Sequence, residues 1–439
     1  MFYHDIPYLI YKCRYGVAIK QSLDQLNRSE WYTRSELEAY QYEKLSRLMK
    51  HVYAHVPYYR RIMREMALKP AHIKKLTDIK YLPILNKSII RKEGTNMFSA
   101  VRDDRRGREG RTGGTTGEPL RFVHDVKTII AAEAALLRGK SWAGYRLGVP
   151  TASLMTVGKP TFLGKARERL ISIHAYSAFS TEDDVIKGLE KIRRRKICFL
   201  ESYASNLYRI ARICHDRKIE DISLPVIFST GEVLLPYQKE LIEKQFGSQV
   251  FDYYGSNEIG SLAYECKEHH NKHITDEHVI LEVTDSRGNP LVDEMGEITI
   301  TDLDNYAMPF VRYKIGDIGI ITEEVCGCGR KLNILKHLEG RMADFLKGID
   351  GSLISPVAFL ALLRNIIGLS EYQIVQIDRE RVQLIFVKNE LFSENELELI
   401  AKTIKEVMGD AVYVDFEERA SIRATDRGKH RLIVSRLTT

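Results

Sequence analysis

The 439-residue sequence has few cysteines, no long apolar run and no repeated or low-complexity segment. Six cysteines in a chain of this length are too few for a disulfide scaffold, which fits a reducing compartment. No run of about 18 consecutive apolar residues occurs, so the sequence excludes a transmembrane segment. The first twenty residues are interrupted by charged residues and proline and lack a signal-peptide core. These absences together predict a cytoplasmic protein.

The composition is that of an ordinary globular protein, with 44% hydrophobic and 28% charged residues. Domains usually have about 100 to 200 residues, so the length predicts two or three of them. The net charge of +7 is partly concentrated between Arg102 and Arg111 and between Arg193 and Lys196. It suits anionic small molecules as well as nucleic acid. The sequence lacks the interleaved aromatic residues or the recognised module that would favour nucleic-acid binding, and Arg193 to Lys196 is typical of the cationic end of an amphipathic helix.

Hydrophobic periodicity predicts a helical N-terminal part followed by alternating strands and helices. Residues 28–66 have helical spacing, with Ser35 as the expected cap. From residue 120 onward, short apolar runs precede segments of helical pattern. The expected strands are LRFV (120–123), KICFLESY (196–203), PVIFST (225–230) and QVFDYYG (249–255), and the expected helices are 125–140, 205–217 and 236–246. This alternation predicts a mainly parallel sheet with ligands at the carboxyl ends of its strands.

After Gly260 the pattern becomes rich in strands, which predicts a β-rich subdomain. The segment GRMADF (340–345) is the next expected boundary. Beyond it, the sequence predicts a helix near 355–367, a strand pair around Asp378, a helix from Ser393 to Met408 and further strands. That order predicts a separate α+β domain of about 100 residues, a size sufficient for a core of its own.

A loop from Thr112 to Glu118 consists only of Thr, Gly and Glu. Glycine permits the positive-φ turns that point successive N–H groups at one anion, so the loop is a candidate phosphate-binding segment. It is not a Walker A motif, because Gly117 is followed by Glu118 and Pro119 instead of Lys and Ser or Thr. It also lacks the spacing of a dinucleotide-binding motif. Taken alone, the loop is equally consistent with a mobile surface turn.

Four further motifs follow this loop along the chain. They are YYGSNEIG (253–260), RYKIGDIG (312–319), GRMADF (340–345) and RATDRGKHR (423–431). In this order and with these gaps, the motifs resemble the core motifs of the AMP-forming adenylate superfamily. They are most similar to phenylacetate-CoA ligase and its relatives in capsular polysaccharide biosynthesis. Residues 40–60 also resemble the opening helix of that subgroup. The resemblance covers nearly the whole chain.

The resemblance implies an adenylate-forming α/β fold. A large N-terminal α/β domain with a β-rich subdomain would span residues 1–339, and a small mobile α+β domain would span residues 340–439. In this family a carboxylate attacks the α-phosphorus of ATP, pyrophosphate leaves and an acyl-adenylate remains. The negative charge on the phosphoryl oxygens must be stabilised, which requires backbone donors, a divalent cation and a mobile cationic side chain.

The resemblance also implies roles for individual residues. Lys429, Glu258, Thr115 and Arg312 would be catalytic, with Glu258 binding Mg²⁺ and Lys429 reaching the α-phosphate from the mobile domain. Asp317 would accept hydrogen bonds from the ribose hydroxyls. The implied nucleotide-binding residues are Thr112, Gly113, Gly114, Thr115, Thr116, Gly117, Ser229, Gly231, Glu232, Tyr253, Tyr254, Gly255, Ser256, Asp317 and Arg341.

Each of these assignments has an ordinary alternative when it is taken singly. Glu258 fits an acid at a helix N-terminus, Asp317 fits a hairpin turn, and Lys429 fits a solvated surface lysine. The sequence also departs from the family in two places. Glu118 replaces a lysine that the family's loop commonly carries, for which Arg111 is a candidate replacement. Ala343 interrupts a pair of acids at the hinge expected near Arg341 to Asp344.

Cysteine and histidine residues in two separated segments form a candidate metal site. The first segment, YECKEHHNKH, contains Cys266 and several histidines, and CGCG follows about sixty residues later. Thiolate and imidazole are the ligands of closed tetrahedral structural zinc sites. The resemblance selects Cys266, His273, Cys326 and Cys328, while His269 or His270 remains an alternative to His273.

The sequence therefore predicts an ATP-dependent ligase that uses ATP, Mg²⁺ and coenzyme A and that contains a structural Zn²⁺. It would form an acyl-AMP and transfer the acyl group to a thiol, with coenzyme A as the default acceptor. The resemblance places the acid pocket near Tyr145, Tyr203 and Tyr253 and allows a homodimer. One alternative is an amide-forming ligase that acts on a sugar acid or an amino acid. A further alternative is a non-catalytic nucleotide-binding protein or a basic nucleic-acid-binding protein.

Overall fold

The computed structural model describes residues 15–102, 107–112, 120–155, 172–175, 182–342, 345–355, 366, 368–422 and 433–437. The α-helices of these residues are α1 (Gly16–Ser29), α2 (Arg34–His55), α3 (Pro57–Glu65), α4 (Lys87–Glu93), α5 (Val126–Ser141), α6 (Glu182–Arg194), α7 (Ala204–Asp216), α8 (Pro236–Phe246) and α9 (Glu394–Met408). Short 3-10 helices cover Pro70–His72, Leu76–Tyr81 and Gly94–Met97. Within the described parts of the chain, no helix has the length and apolar character needed to cross a membrane.

The predicted helical segment 28–66 begins at the end of α1 and contains two complete helices, α2 and α3. Helix α2 begins after Thr33, whose hydroxyl accepts a hydrogen bond from the Glu36 N–H while the Glu36 carboxylate accepts one from the Thr33 N–H. This reciprocal capping box replaces the expected cap at Ser35. Val56 is extended and Pro57 opens α3, because a residue before proline is disfavoured in helical conformation.

The strands are β1 (Arg108–Arg111), β2 (Arg121–His124), β3 (Thr151–Ser153), β4 (Ile173–Ala175), β5 (Phe199–Ser202), β6 (Val226–Thr230), β7 (Gln249–Ser256), β8 (Gly260–Glu265), β9 (Lys272–Ile274), β10 (Val279–Thr284), β11 (Pro290–Leu291), β12 (Gly296–Asp302), β13 (Tyr313–Thr322), β14 (Ile334–Arg341), β15 (Leu346–Lys347), β16 (Leu353–Ile354), β17 (Leu369–Gln376), β18 (Arg381–Lys388), β19 (Tyr413–Glu418) and β20 (Ile433–Ser435). Twelve of them form one sheet in the order β11-β10-β12-β13-β14-β9-β8-β7-β6-β5-β3-β4. The strands from β4 to β7 in this order pair in parallel, and the others pair antiparallel.

Two expectations about this sheet are corrected. The segment LRFV does not enter it, because β2 pairs antiparallel with β1 in a separate two-stranded ribbon. The β-rich part after Gly260 is continuous with the parallel part, because β8 pairs with β7. A single sheet therefore connects the motif of β7 to the motif of β13.

Each face of the parallel part packs against helices. Leu200, Ile227 and Val250 lie in a core that includes residues of α6, α7 and α8. On the other face, Phe199, Phe228 and Phe251 pack with residues of α1 and α5. The two sets alternate along β5, β6 and β7, as the period-two geometry of strands requires. Helix α5 therefore covers the face that carries Glu201 and Tyr253, which continue the second set.

The C-terminal part contains a separate sheet in the order β19-β18-β17-β20, with α9 packed against it. This arrangement confirms the expected small α+β region after the large sheet. The predicted helix near 355–367 lies almost wholly outside the described residues. The large sheet ends with β14 at Arg341, so the predicted division at 339/340 falls within its last strand along the chain.

Candidate active site and metal centre

The carboxyl ends of β6 and β7 bring two predicted nucleotide-binding segments together. Ser229 pairs with Asp252, and Thr230 pairs with Tyr253. A side chain at Gly255 would place a Cβ 2.9 Å from the carbonyl oxygen of Gly260, so only glycine allows the close approach of β7 and β8 here. The predicted residues Ser229, Gly231, Glu232, Tyr253, Tyr254, Gly255 and Ser256 all lie at this edge. Glu232 also accepts a hydrogen bond from the backbone N–H of Ser205 at 2.9 Å, at the start of α7.

Glu258 lies in the tight connection between β7 and β8, where two histidines hold successive carbonyl groups. His124 Nε2 contacts the Glu258 carbonyl at 2.6 Å, and His278 Nε2 contacts the Ile259 carbonyl at 3.1 Å. The Glu258 side chain is buried, and its Oε1 accepts a hydrogen bond from the Tyr313 hydroxyl at 3.2 Å. The backbone of this turn and one oxygen of its carboxylate are thus fixed by the protein.

His278 is a charged member of a buried network. Its Nδ1 lies 2.9 Å from Asp304, and Lys44 forms a salt bridge to the same carboxylate at 2.7 Å. Both ring nitrogens face oxygens that only accept hydrogen bonds, so both must carry a proton. Although burial favours the neutral ring, Asp302 and Asp304 raise the pKa of His278 above 6.5. The imidazolium therefore donates simultaneously to Asp304 and to the turn that carries Glu258.

Asp317 is held by residues from two other predicted motifs. The Tyr254 hydroxyl donates to Asp317 Oδ2 at 2.6 Å, and Arg341 Nε lies 3.7 Å from Asp317 Oδ1. Burial and then the Asp317 charge raise the pKa of Tyr254, so its hydroxyl remains a donor. Asp317 lies within β13 instead of in the expected turn. The Gly316 backbone has a φ of 94° and the pairing of β12 with β13 shifts here, so the apparent turn signal marks a β-bulge.

Arg312, predicted to be catalytic, is held in a buried network of hydrogen bonds. Its guanidinium donates to both oxygens of Glu282 and to the carbonyls of Lys80, Leu82 and Gly288. These contacts use all of its N–H donors, and the side chain is 3% exposed. The guanidinium therefore has no donor left for a nucleotide, and it connects β13 to the segment before α4.

The predicted phosphate loop is described only at its two ends. The Thr112 N–H donates to the Leu120 carbonyl at 2.9 Å, and the Leu120 N–H donates to the Thr112 hydroxyl at 2.9 Å. This reciprocal pair joins the two ends of the loop. Gly113, Gly114, Thr115, Thr116, Gly117 and Glu118 lie outside the described residues, as do Ala343, Asp344 and Lys429.

Cys266, His273, Cys326 and Cys328 come together at the opposite end of β8. Their ligand atoms all lie within 4.8 Å of one another. Sγ of Cys266 is 3.7 Å from Sγ of Cys326, and Sγ of Cys328 is 3.3 Å from Nε2 of His273. Zn–S bonds of about 2.3 Å at tetrahedral angles separate two sulfurs by about 3.8 Å, so the cluster fits a tetrahedral zinc ion.

The protonation states of the cluster also suit a metal. Burial, followed by the charges of Arg330 and Arg138, lowers the pKa of His273 to about 4, which keeps the imidazole in the neutral form that binds metals. Burial raises the pKa of Cys266 to about 12, so a cation is required to hold it as a thiolate. His269 lies instead beside Glu265 and Phe251. Of the histidines proposed for this site, the described structure therefore selects His273.

Arg330 connects this cluster to the N-terminal helices. Its guanidinium lies 4.9 Å from the Trp31 ring and 4.5 Å from the Trp142 ring. Glu30 contacts both Arg330 at 3.2 Å and the Trp142 indole N–H at 2.9 Å. Trp142 also packs edge-on against His273. The two tryptophans of the chain thus both contact Arg330, and Trp142 also contacts the candidate metal ligand His273.

Comparisons with known proteins agree with this geometry. Residues 346–436 match the family described as the CapK C-terminal domain. The phenylacetate-coenzyme A ligase of Thermus thermophilus is 28% identical over 359 residues, which make up 79% of each chain. That of Aromatoleum evansii is 26% identical over 427 residues, covering 92% of this chain and 95% of the relative.

The chain is thus similar in sequence to phenylacetate-coenzyme A ligases. A solved structure of 2-hydroxyisobutyryl-CoA ligase in the postadenylation state has a TM-score of 0.74 at 20% identity, covering 93% of this chain and 91% of that one. The adenylate-forming fold expected from the motifs is confirmed.

Among the described residues that hold this site, the sequence did not predict Lys44, His124, His278 and Asp304. His278 lies five residues beyond the histidine-rich segment YECKEHHNKH, whose histidines suggest metal binding. The signal that could have separated it was the segment DEH followed by an Asp-x-Asp pair at 302–304, which places acids and an imidazole on adjacent strands. His124 and Lys44 carry no comparable local signal.

Proposed function

We propose that this chain is an ATP-dependent ligase that adenylates a carboxylic acid, releases pyrophosphate and transfers the acyl group to coenzyme A. The observation that carries the proposal is the convergence of Glu258 and Asp317. Tyr313 binds Glu258 and Tyr254 binds Asp317, although these pairs come from motifs more than fifty residues apart. The chain thus presents two oriented carboxylates at one end of the sheet.

In this proposal each carboxylate has a separate task. Asp317, held by Tyr254, accepts hydrogen bonds from the ribose hydroxyls of ATP. Glu258 would hold Mg²⁺, which supplies positive charge to the phosphoryl oxygens. A carboxylate oxygen of the substrate forms a bond to the α-phosphorus, and the bond from that phosphorus to pyrophosphate breaks. Lys429 and the loop Gly113–Gly117 keep the phosphate-binding roles that the resemblance implies, and Arg312 has none.

The second step transfers the acyl group to an acceptor. The thiol of coenzyme A attacks the acyl carbon and AMP leaves with its phosphate oxygens intact. The curated relatives are named as coenzyme A ligases, which supports this acceptor. An amine acceptor is the second candidate, because the match to the CapK C-terminal domain supports the resemblance to the capsular polysaccharide branch.

Pyrophosphate–ATP exchange tests the first step without an acceptor. The protein is incubated with ATP, Mg²⁺, labelled pyrophosphate and, in turn, aryl, fatty and uronic acids. We expect exchange that depends on one class of acid. Coenzyme A and amines are then added to the active acid, and the product is identified by its mass. Absence of exchange with every acid would contradict the proposal.

The cluster at the end of β8 supports a structural zinc ion as part of the same proposal. All four of its ligands come from the protein, so no open position remains for a substrate. The described cysteines are free thiols, which supports a cytoplasmic location. The homodimer stays a prediction.

A further inference from the structure

A buried ion pair lies between α5 and the face of the sheet that this helix covers. Lys140 Nζ is 2.7 Å from Glu201 Oε1, and the two side chains are 9% and 8% exposed. The Tyr253 hydroxyl donates to the same Glu201 oxygen. Burial and then the Glu201 charge raise the pKa of Tyr253, so this hydroxyl stays protonated. Glu201 thus connects a residue of α5 to a residue of the predicted nucleotide site.

The surroundings of the pair are aromatic. The Lys140 ammonium lies 5.3 Å from the centre of the Phe228 ring, 5.7 Å from that of Tyr253 and 5.8 Å from that of Tyr145. Removing an ammonium and a carboxylate from water costs several kcal/mol for each ion, and apolar replacements of such pairs are often neutral or stabilising. Packing alone therefore does not require charges at this place.

The pair adjoins the predicted nucleotide site. Glu201 is the penultimate residue of β5, one residue before the strand ends at the carboxyl edge of the sheet. The substrate carboxylate attacks the α-phosphorus of the bound nucleotide, so the rest of the acid must adjoin the nucleotide site. Tyr253 belongs to that site and contacts both Glu201 and Lys140. The Lys140–Glu201 pair therefore adjoins the predicted nucleotide site through Tyr253, on the face of the sheet that α5 covers.

We infer that Lys140 and Glu201 select the acid, and that the substrate carries hydroxyl groups at its non-reacting end, as hydroxy acids and sugar acids do. The inference rests on the proposed adenylation. A hydroxyl donates to a carboxylate and accepts from an ammonium, so one group satisfies both charges. Lys140 has three N–H donors, and within the described residues its hydrogen bond is to Glu201 alone. A plain phenyl or alkyl group beside the pair would offer no hydrogen bond to either charge, and sites built to hydrogen-bond a substrate hydroxyl reject analogues that lack it.

The first test compares acids that differ by a single hydroxyl. Wild-type protein is assayed by pyrophosphate–ATP exchange with phenylacetate against 4-hydroxyphenylacetate, with hexanoate against 6-hydroxyhexanoate, and with glucuronate. We expect the hydroxylated member of each pair to have a kcat/KM at least about tenfold higher. Equal values, or a preference for the unsubstituted acids, would overturn the inference. This comparison requires no variant and therefore does not depend on the folding of a mutant.

The second test removes the charges without changing the shape. In the double variant K140M/E201M, we expect the hydroxyl preference to be lost and phenylacetate or hexanoate to gain relative to the hydroxylated partner. The matched control is R138M/E277M, which removes another buried ion pair of 2.6 Å from the same helix. Arg138 is two positions before Lys140, about 200° around the helix. Thermal unfolding establishes that both variants are folded.

The outcomes separate this inference from the proposed function. A hydroxyl preference that disappears in K140M/E201M and persists in R138M/E277M would support it. A preference that persists in K140M/E201M would overturn it and leave adenylation intact. Exchange with no acid of the panel would overturn the proposed function and this inference together.

Discussion

The two ends of β8 are held by different chemistry. Glu258 and Ile259 precede this six-residue strand, and their carbonyls are bound by His124 and His278. Cys266 follows the strand and joins a cluster of soft metal ligands. One end is fixed by hydrogen bonds to charged or neutral imidazoles, and the other end by groups that suit a zinc ion.

This difference separates the end of β8 that would take part in the reaction from the end that would stabilise the fold. Within the described residues, the Glu258 carboxylate accepts one hydrogen bond, from Tyr313, and so retains capacity for a cation. The cluster at the other end offers four protein ligands, which would complete a tetrahedral zinc site. Changes at the first end are therefore expected to alter the reaction, and changes at the second end are expected to alter stability.

Loss of the metal is expected to have the largest effect. Chelation, or the variant Cys328→Ser, should lower the free energy of unfolding by about 5 kcal/mol. This is less than the roughly 10–16 kcal/mol of isolated zinc-finger peptides, because the sheet retains its own core. Urea unfolding followed by tryptophan fluorescence measures it, since both tryptophans adjoin the cluster. Cys198→Ser is the control, and metal analysis of untagged protein should find about one zinc per chain.

A metal content near zero, with equal stability of the Cys328 and Cys198 variants, would reject the site.

Glu258→Gln is expected to lower the exchange rate by about 10²–10³-fold, which corresponds to about 3–4 kcal/mol of transition-state stabilisation. The amide keeps the shape and the hydrogen bond from Tyr313 but loses the charge that attracts Mg²⁺. The unfolding free energy should change little. The exposed residue Glu294 supplies the control Glu294→Gln. An exchange rate equal to that of the control would contradict the role of Glu258.

Arg312→Met is expected to lower stability instead of catalysis. It leaves the Glu282 carboxylate buried without its partner, which typically costs about 3 kcal/mol or more. Urea unfolding measures the loss, and exchange at low temperature, normalised to the folded fraction, measures the reaction. Arg379→Met, at an exposed position, is the control. A large fall in exchange with unchanged stability would restore the catalytic role that the sequence predicted.

The smallest effect concerns the charge of His278. Because its folded pKa is raised above 6.5, its contribution to stability is full below pH 6.5 and is lost as the pH rises through the folded value. Deprotonation removes one N–H donor from the His278 ring and loosens the Glu258 turn. We therefore expect the pyrophosphate exchange rate to fall about tenfold as the pH rises from 6.5 through the folded pKa of His278. The groups that face His278 are Asp302, Asp304, Lys44 and His124.

Exchange is measured against pH with no acceptor present, so acceptor ionisation does not contribute. His278→Gln should flatten this dependence, whereas His215→Gln, at an exposed position, should retain it. An unchanged profile in His278→Gln would show that another group titrates.

The sequence predicts the placement of some residues well, for a physical reason. The segments that carry Ser229 and Tyr253 lie side by side because parallel strands end at one edge of a sheet, and Cys326 and Cys328 are recognisable as soft ligands. The buried network of Arg312 could not be predicted, because a motif records neighbours along the chain, whereas the partners of its guanidinium come from distant segments. His278 was missed for the same reason. The pairing of β2 with β1 depended on long-range register, which periodicity does not contain.

In the proposed first step, a carboxylate oxygen of the substrate attacks the α-phosphorus of ATP. The most direct measurement uses an acid that is active in exchange, with both carboxylate oxygens labelled with ¹⁸O, in a reaction with ATP, Mg²⁺ and coenzyme A. We expect AMP to contain one ¹⁸O atom by mass spectrometry, with unlabelled pyrophosphate, because the attacking oxygen stays on phosphorus when the acyl group is transferred. Unlabelled AMP, or ADP and labelled phosphate in its place, would contradict the account.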